Sequence, residues 1–465
     1  MNNRMSRAWH SQSSGLTTSA KQTRHNKQLR QLRRSVLTLA LPVTVSSLLQ
    51  RTDGILSIFL VGGLGATAIA AVGLGQLLVF FSLTIIAGIS VGTTVVVAQL
   101  WGARRFPDAR DAAAHALALA MMAALLLAVT GLMVSRPSMA LLGATPAVLA
   151  LAGPYMDIIF LVLPLSILVQ VLSAILHGTG DTRTPMYATL GINVFHASLA
   201  YPLIYGVWGF PELGVEGAAV SVGIAEAAGV LYLLRRCRPL LGRPNHIRPD
   251  LVRALADVGL PVFGERLVQQ VGILGYTKLV FMYGTVAYAA HQVGLSIEAF
   301  SFLPGHGFAI AAATLVGQSI GAGKFRRAKL ENWEANRLAA LVMAGMGLVF
   351  FFFPYALLRA FTEDQAVIEL GTLFLKIVAV LQVPLALTMV LSGSLRGAGD
   401  TRYIMGVTVV GMWGIRLPLA AACALWLEAG LVYLWGAMVV DWTVRMVLLL
   451  VRYRSERWRH IHIFR

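Results

Sequence analysis

Residues 178–183 read GTGDTR and residues 397–402 read GAGDTR. The phrases lie 219 residues apart, and the same displacement brings their surroundings into register. VVAQLWGARRFPDAR at 96–110 falls on LVGQSIGAGKFRRAK at 315–329, matching Gln99 to Gln318, Gly102 to Gly321 and Phe106 to Phe325. LALPV at 39–43 falls on VGLPV at 258–262, pairing Pro42 with Pro261, and Ala-Val-Gly at 71–73 meets Gln-Val-Gly at 292–294 at a displacement of 221. One hexapeptide could recur by chance, but collinear segments at one displacement indicate a tandem duplication with halves of roughly 220 residues.

Residues of the AVILMFWYC set make up 57% of the chain, glycine adds 45 more, and only 13% are charged, which places the chain in a bilayer. Each half carries six long apolar stretches. They lie near 36–61, 70–100, 109–134, 150–176, 185–207 and 215–234, then 254–282, 286–320, 330–358, 366–395, 403–427 and 430–451. The expected fold is an all-α integral membrane protein with twelve transmembrane helices in two pseudo-symmetric six-helix bundles. The expected divisions are a disordered basic tail over 1–35, an N-terminal lobe over 36–236, a linker over 237–253, a C-terminal lobe over 254–453 and a tail over 454–465. The first tail shares its composition with some targeting segments but has no apolar core of the secretory kind.

Lys and Arg near membrane spans favour the cytoplasmic side. With twelve spans, 29 of the 38 basic residues fall on the side of the two termini, against only Arg136 and Arg359 on the other. Both termini are therefore expected in the cytoplasm of a cell, or inner, membrane. Topology and anionic lipid headgroups account for the net charge of +17, so no nucleic-acid partner is called for. Cys237 and Cys423 are too few and too far apart for a disulfide framework or a metal cluster.

Six spans return the chain to the side on which it started, so the halves run parallel about an axis along the membrane normal. Two such bundles enclose a cleft near the membrane centre, the usual place for a transporter's substrate. Each hexapeptide becomes the cytoplasmic turn between the fourth and fifth helices of its half. Gly suits the turn after a helix end, and Asp and Thr suit the cap of the next helix. This is a structural role and not a binding site.

The duplication and its phrases resemble the multidrug and toxic compound extrusion (MATE) family over roughly 36–453. The resemblance rests on LALPVTVSSLLQRTDGILSIFLVGGLGATAIAAVGLG at 39–75, the AQLWGA and GQSIGA turns, the GxGDTR turns, GLPVFGERLVQQ at 259–270 and AAHQVGLSIEAFSFLPGHGFAIAAATLVGQ at 289–318. Thr52, Asp53 and Gly54, followed by LVGGLGATAIAAVG, look most like the DNA-damage-inducible F (DinF-like) branch. The resemblance implies a V-shaped pair of lobes that exports amphipathic, often cationic compounds by alternating access. Inward flow of protons or sodium ions would drive it, with no cofactor and in a monomer.

An ionisable group within a span is costly and marks a functional position. Asp53, in the first helix, is either a carboxylate that takes a coupling proton or cation, as the family's first-helix Asp implies, or a partner of Arg51. The family's archaeal-type proton site adds an Asn and an Asp in the fifth helix. Anchored on Pro202, those positions hold Ala197 and Tyr201, while Asn193 matches an earlier Asn and His196 stands one residue from the missing one. His196 is thus either a titrating partner of Asp53 or a packing histidine. Glu265 is either a cation- or substrate-binding carboxylate or one neutralised by Arg416 or Lys278. Glu265, Glu298, Gln292, Tyr201 and Asn193 form the expected polar lining of the substrate cleft, and Arg416 is read as a structural charge holding the eleventh helix to a carboxylate. Where the sodium-coupled branch places an acid in the tenth helix, Leu385 stands. Glu226, Lys376, Asp441 and Arg445 have no role beyond pairing.

Enzyme motifs are lacking. GAGKF at 321–325 fails the phosphate-loop pattern, because Gln318 occupies the first Gly position and Phe follows Lys324. The alternative function is a flippase for a lipid-linked precursor, which would need a cleft dominated by Arg and Lys. A channel would need a filter segment or rings of like charge, and neither is present.

Overall fold

The computed structural model describes the backbone of residues 5–141, 143–242, 247–427, 430–461 and 463–464, with side chains from Lys27 onward except at positions 81 and 85. The first lobe comprises α1 (Met5–Gly62), α2 (Ala66–Gly102), α3 (Phe106–Leu141), α4 (Pro146–Thr179), α5 (Arg183–Tyr205) and α6 (Gly214–Cys237). The second comprises α7 (Pro249–Phe281), α8 (Thr285–Gly321), α9 (Phe325–Phe352), the short α10 (Pro354–Arg359), α11 (Gln365–Gly397), α12 (Thr401–Val409), α13 (Leu417–Ala421) and α14 (Leu431–Arg454). Among the described residues ten helical segments are long and apolar enough to cross a membrane. Helices α5 and α7 also have spanning length, at 23 and 33 residues, but are more polar.

Local chemistry sets the ends of these elements. Thr145 caps α4 by accepting from the Val148 N–H at 3.4 Å, with Pro146 at the first helical position, and Asp364 caps α11 by accepting from the Ala366 and Val367 N–H groups at 2.9 and 3.3 Å. Pro354 lacks the N–H that would continue the ninth span, so the apolar stretch to 358 is divided between α9 and α10. The eleventh span joins α12 and α13 through a wide π turn over Val410–Arg416, and a second such turn follows over Ala422–Trp426.

Helix α1 begins at Met5, well ahead of the apolar span. Its Lys, Arg and Gln residues are good helix formers and extend the apolar span backward. Arg33 then pairs with Glu334 of α9 at 2.5 Å, crossing from one lobe to the other. At the other end of the chain Trp458 is fully buried against Tyr453, and Ile463 and Phe464 pack against the first lobe.

The lobes meet where α1 packs on α8, α2 on α7 and α2 on α8. The repeated sequence elements form this seam. Gln99 donates its side-chain N–H to the Gly397 carbonyl at 2.9 Å, and Gln318 donates to the Gly178 carbonyl at 2.9 Å. Each hexapeptide thus begins with a carbonyl that accepts from the opposite lobe. A Cβ on Gly102 would run into the Gln318 carbonyl and one on Gly321 into the Gln99 carbonyl, so only glycine allows this approach. Gly180 and Gly399, the second glycines of the two phrases, have φ of +93° and +87°, the left-handed conformation that ends α4 and follows α11. Asp181 then accepts from the Arg183 and Thr184 N–H groups at 3.1 and 3.0 Å to cap α5. In the second copy Asp400 pairs with Arg452 at 2.7 Å. All these contacts lie at the end that carries the basic loops.

Candidate functional site

Beyond the seam the lobes enclose a cavity of about 640 Å³, within the usual range for drug-sized ligands. One wall belongs to the first lobe. Asp53 projects from α1, and its Oδ1 lies 2.6 Å from Nδ1 of His196 on α5. Asp53 is partly exposed to the cavity, whereas His196 is buried behind it with Nε2 unpartnered. Nδ1 and Oδ1 share one hydrogen between them, and Nε2 has no partner.

The backbone of α1 is held on both sides of this pair. Asn193 donates to the Leu49 carbonyl at 2.7 Å and Gln76 to the Gly54 carbonyl at 3.3 Å. Asn193, Gln76 and Asp53 all line the cavity. Glu226 of α6 lines the same wall, with one oxygen accepting from Ser166 at 3.2 Å and the other unpartnered. Arg51, the alternative partner for Asp53, is exposed and does not reach it.

The floor of the cavity is different in character, with Arg266, His306 and Arg396 from the second lobe and His177 from the first. Behind it lies a smaller cavity of about 290 Å³ that holds Glu265. Nη2 of Arg396 reaches both oxygens of Glu265 at 2.7 and 2.8 Å, and Thr408 adds a longer contact at 3.4 Å. The partner of Glu265 is therefore neither Arg416 nor Lys278. Arg396, expected in a cytoplasmic turn, sits in the last turn of α11 with its side chain lining the cavity. The long aliphatic stem of Arg makes that reach possible.

Arg416 lies against Asp441 of α14 at 2.8 Å, and Arg445 binds the same carboxylate at 2.5 and 3.0 Å. All three are buried, and Trp442 lies beneath both guanidinium groups at 5.7 and 5.0 Å. Gly411, in the π turn, leaves room for them, since a Cβ there would collide with Arg445 and Asp441. Glu265 and Asp441 of the second lobe are thus held in ion pairs with arginine.

Three residues expected in the cleft lie elsewhere. Tyr201 is 47% exposed on the outer face of α5, with its ring 5.1 Å from Tyr205. Gln292 donates to the Tyr288 hydroxyl at 2.7 Å, four residues earlier on α8 and outside both cavities. Glu298 is buried within the second lobe and lines neither cavity. Glu226, His177, His306 and Arg266 line the large cavity without having been singled out as cleft residues. Only the polarity of Glu226 within an apolar span hinted at its place.

The MatE family profile matches residues 42–202 and again 261–422, in step with the internal duplication. A probable multidrug resistance protein NorM from Thermotoga maritima is 30% identical over 93% of this chain and 94% of its own length. A multidrug resistance protein NorM from Burkholderia vietnamiensis is 29% identical over 90% of this chain and 93% of its own. The fold is shared with a MATE transporter from Vibrio cholerae, VcmN in its bent form, at a TM-score of 0.86 and 19% identity over 92% of this chain and 98% of that one. It is shared also with an outward-facing multidrug resistance MATE transporter at a TM-score of 0.85 and 20% identity, over 92% of this chain and 97% of that one. With its profile matched twice, in register with the repeat and over well over half of its length, this multi-pass membrane chain belongs to the MatE family of transporters.

Proposed function

We propose that the chain is a secondary active exporter of amphipathic, often cationic compounds, exchanging them for protons or sodium ions by alternating access. The observation that carries this reading is the Asp53–His196 contact in the wall of the large cavity, with Glu226 beside it. A carboxylate reachable from the cavity and backed by a buried imidazole can take up a proton or a cation and lose its negative charge. Asn193 and Gln76 grip α1 next to Asp53, so a change of charge there is transmitted to that helix. His196 stands in for the fifth-helix carboxylate that the family's archaeal-type site would supply.

The relatives' names, multidrug resistance protein, support small-molecule export. The basic loops support a cytoplasmic location for the sealed end and both termini, which makes the conformation open to the outside. The stretch around Asp53 supports a DinF-like placement within the family, and a monomer suffices to enclose the site. A precursor flippase is disfavoured because Asp53, Glu226 and Glu265 accompany Arg266, Arg396 and Arg445 at the cavities. Dye efflux from proteoliposomes under separately imposed proton and sodium gradients tests the reading. Efflux driven by one of the two is expected, and efflux driven by neither overturns it.

A further inference from the structure

The cavity floor is unbalanced in charge. Arg266 and Arg396 line both the large cavity and the smaller one behind it. Arg396 is engaged by Glu265, yet its Nε is buried without a partner. Arg266 makes none of the ion pairs found among the described residues, and its Nε is likewise buried and unpartnered. Two guanidinium groups therefore share one carboxylate, and that carboxylate is already held at both oxygens by Arg396. His177 and His306, the other titratable groups of the floor, supply no negative charge in either protonation state. Asp53 and Glu226 belong to the facing wall, where Asp53 is bound to His196.

A buried guanidinium nitrogen without an acceptor is costly, because it has lost water and gained nothing in exchange. An anion in the cavity beside Arg266 would offset the unbalanced positive charge. The planar fork of Arg fits a carboxylate or phosphate through parallel N–H donors. The opposite wall meanwhile offers carboxylates to a cation, and one cavity of about 640 Å³ spans both.

We propose that Arg266, with Arg396 beside it, forms a subsite for an anionic group of the transported compound, so that the preferred substrates are zwitterionic amphiphiles. Their cationic end faces Asp53 and Glu226, and their carboxylate or phosphate faces Arg266. This rests on the export reading above and adds a second polar requirement to it.

The test compares rhodamine B, a zwitterion with a free carboxylate, with rhodamine B ethyl ester, the matched cation, and with fluorescein, an anion on the same ring system. Binding is followed by fluorescence anisotropy in phosphatidylcholine nanodiscs. The wild type should bind rhodamine B about tenfold more tightly than the ester, the worth of one charge-assisted contact. Arg266→Gln should close that gap, and Arg266→Lys should retain part of it. Equal affinity of the wild type for acid and ester overturns the proposal without recourse to any variant. A shift of both dyes by the same factor in Arg266→Gln also overturns it, since a merely structural arginine would act that way. If neither rhodamine binds, the export reading fails separately. Fluorescein binding that Arg266→Gln removes would then still support the anion subsite, and its absence would end it.

Discussion

The two lobes follow the same chain path and differ in what they place along it. At the seam the copies agree, with Gln99 and Gln318 each bonding the first carbonyl of the other lobe's hexapeptide. Around the cavities they diverge. At the displacement of 219 residues His177 corresponds to Arg396, Ser46 to Glu265, Ser47 to Arg266 and Glu226 to Arg445. The first lobe keeps its carboxylates available, Asp53 against a neutral-capable imidazole and Glu226 against a hydroxyl. In the second lobe Glu265 and Asp441 are bound to guanidinium groups that carry their charge at all working pH values. A duplicated transporter thus conserves the contacts that close it and differentiates the groups that bind. The proposed charge exchange is placed in the lobe where the cavity carboxylates Asp53 and Glu226 have no arginine partner.

The largest effect should come from the second lobe. Asp441→Asn leaves Arg416 and Arg445 buried without their carboxylate, at a cost of about 3–5 kcal/mol. The variant should accumulate poorly in the membrane and unfold at a clearly lower temperature in detergent. Normal stability would break the comparison, since it would show that these charges are as replaceable as exposed ones.

The seam should show smaller and matched effects. Gln99→Ala and Gln318→Ala each remove one lobe-to-lobe hydrogen bond worth about 1 kcal/mol, which moves the balance between closed and open seams by roughly fivefold. Distances between spin labels at Arg104 and Lys324 read that balance. Equal shifts sharpen the symmetry argument, and a large effect from one glutamine alone contradicts it.

The least effect is expected outside the membrane, where Arg248 hydrogen-bonds Asp250 at 2.7 Å and its backbone N–H reaches His115 at 3.0 Å. His115 lies 219 residues before Glu334, which Arg33 binds, so the two lobes carry different versions of this surface contact. The side-chain hydrogen bond from Arg248 holds the Asp250 carboxyl below its usual range. A depressed carboxylate contributes stability above its unfolded value and loses it as pH falls through the folded one. The difference in unfolding temperature between wild type and Arg248→Ala should therefore be small and flat from about pH 5 to about pH 8, and shrink only below about pH 4. A difference that does not shrink below about pH 4 would show that the contact does not depend on the carboxylate.

Much of the architecture was legible in the residues because duplication and apolar length are properties of the chain itself. The repeated Gln and Gly positions could be paired before their contact was seen. That they seal one lobe to the other was not legible, since a turn motif does not say what it faces. Asp53 and His196 could be suspected because each is a polar group within an apolar span. Their contact joins residues 143 apart in sequence, and only the crossing of α1 and α5 decides it. Tyr201 lines neither cavity: its position was set relative to Pro202, whereas the direction of a side chain depends on the rotation of the helix. Arg396 was taken for a loop charge because length and flexibility let its head group sit far from its Cα. Glu226 showed only its polarity within an apolar span, and the cavity reveals its neighbours.

The proposed export depends on exchange of the coupling ion at Asp53 of the first lobe. Asp53→Asn in proteoliposomes, with dye binding and gradient-driven efflux measured on the same preparation, tests it most directly. Dye binding should persist while efflux no longer responds to the gradient that drives the wild type. Full gradient-driven efflux with an unchanged pH profile would contradict it and move coupling away from the Asp53–His196 pair.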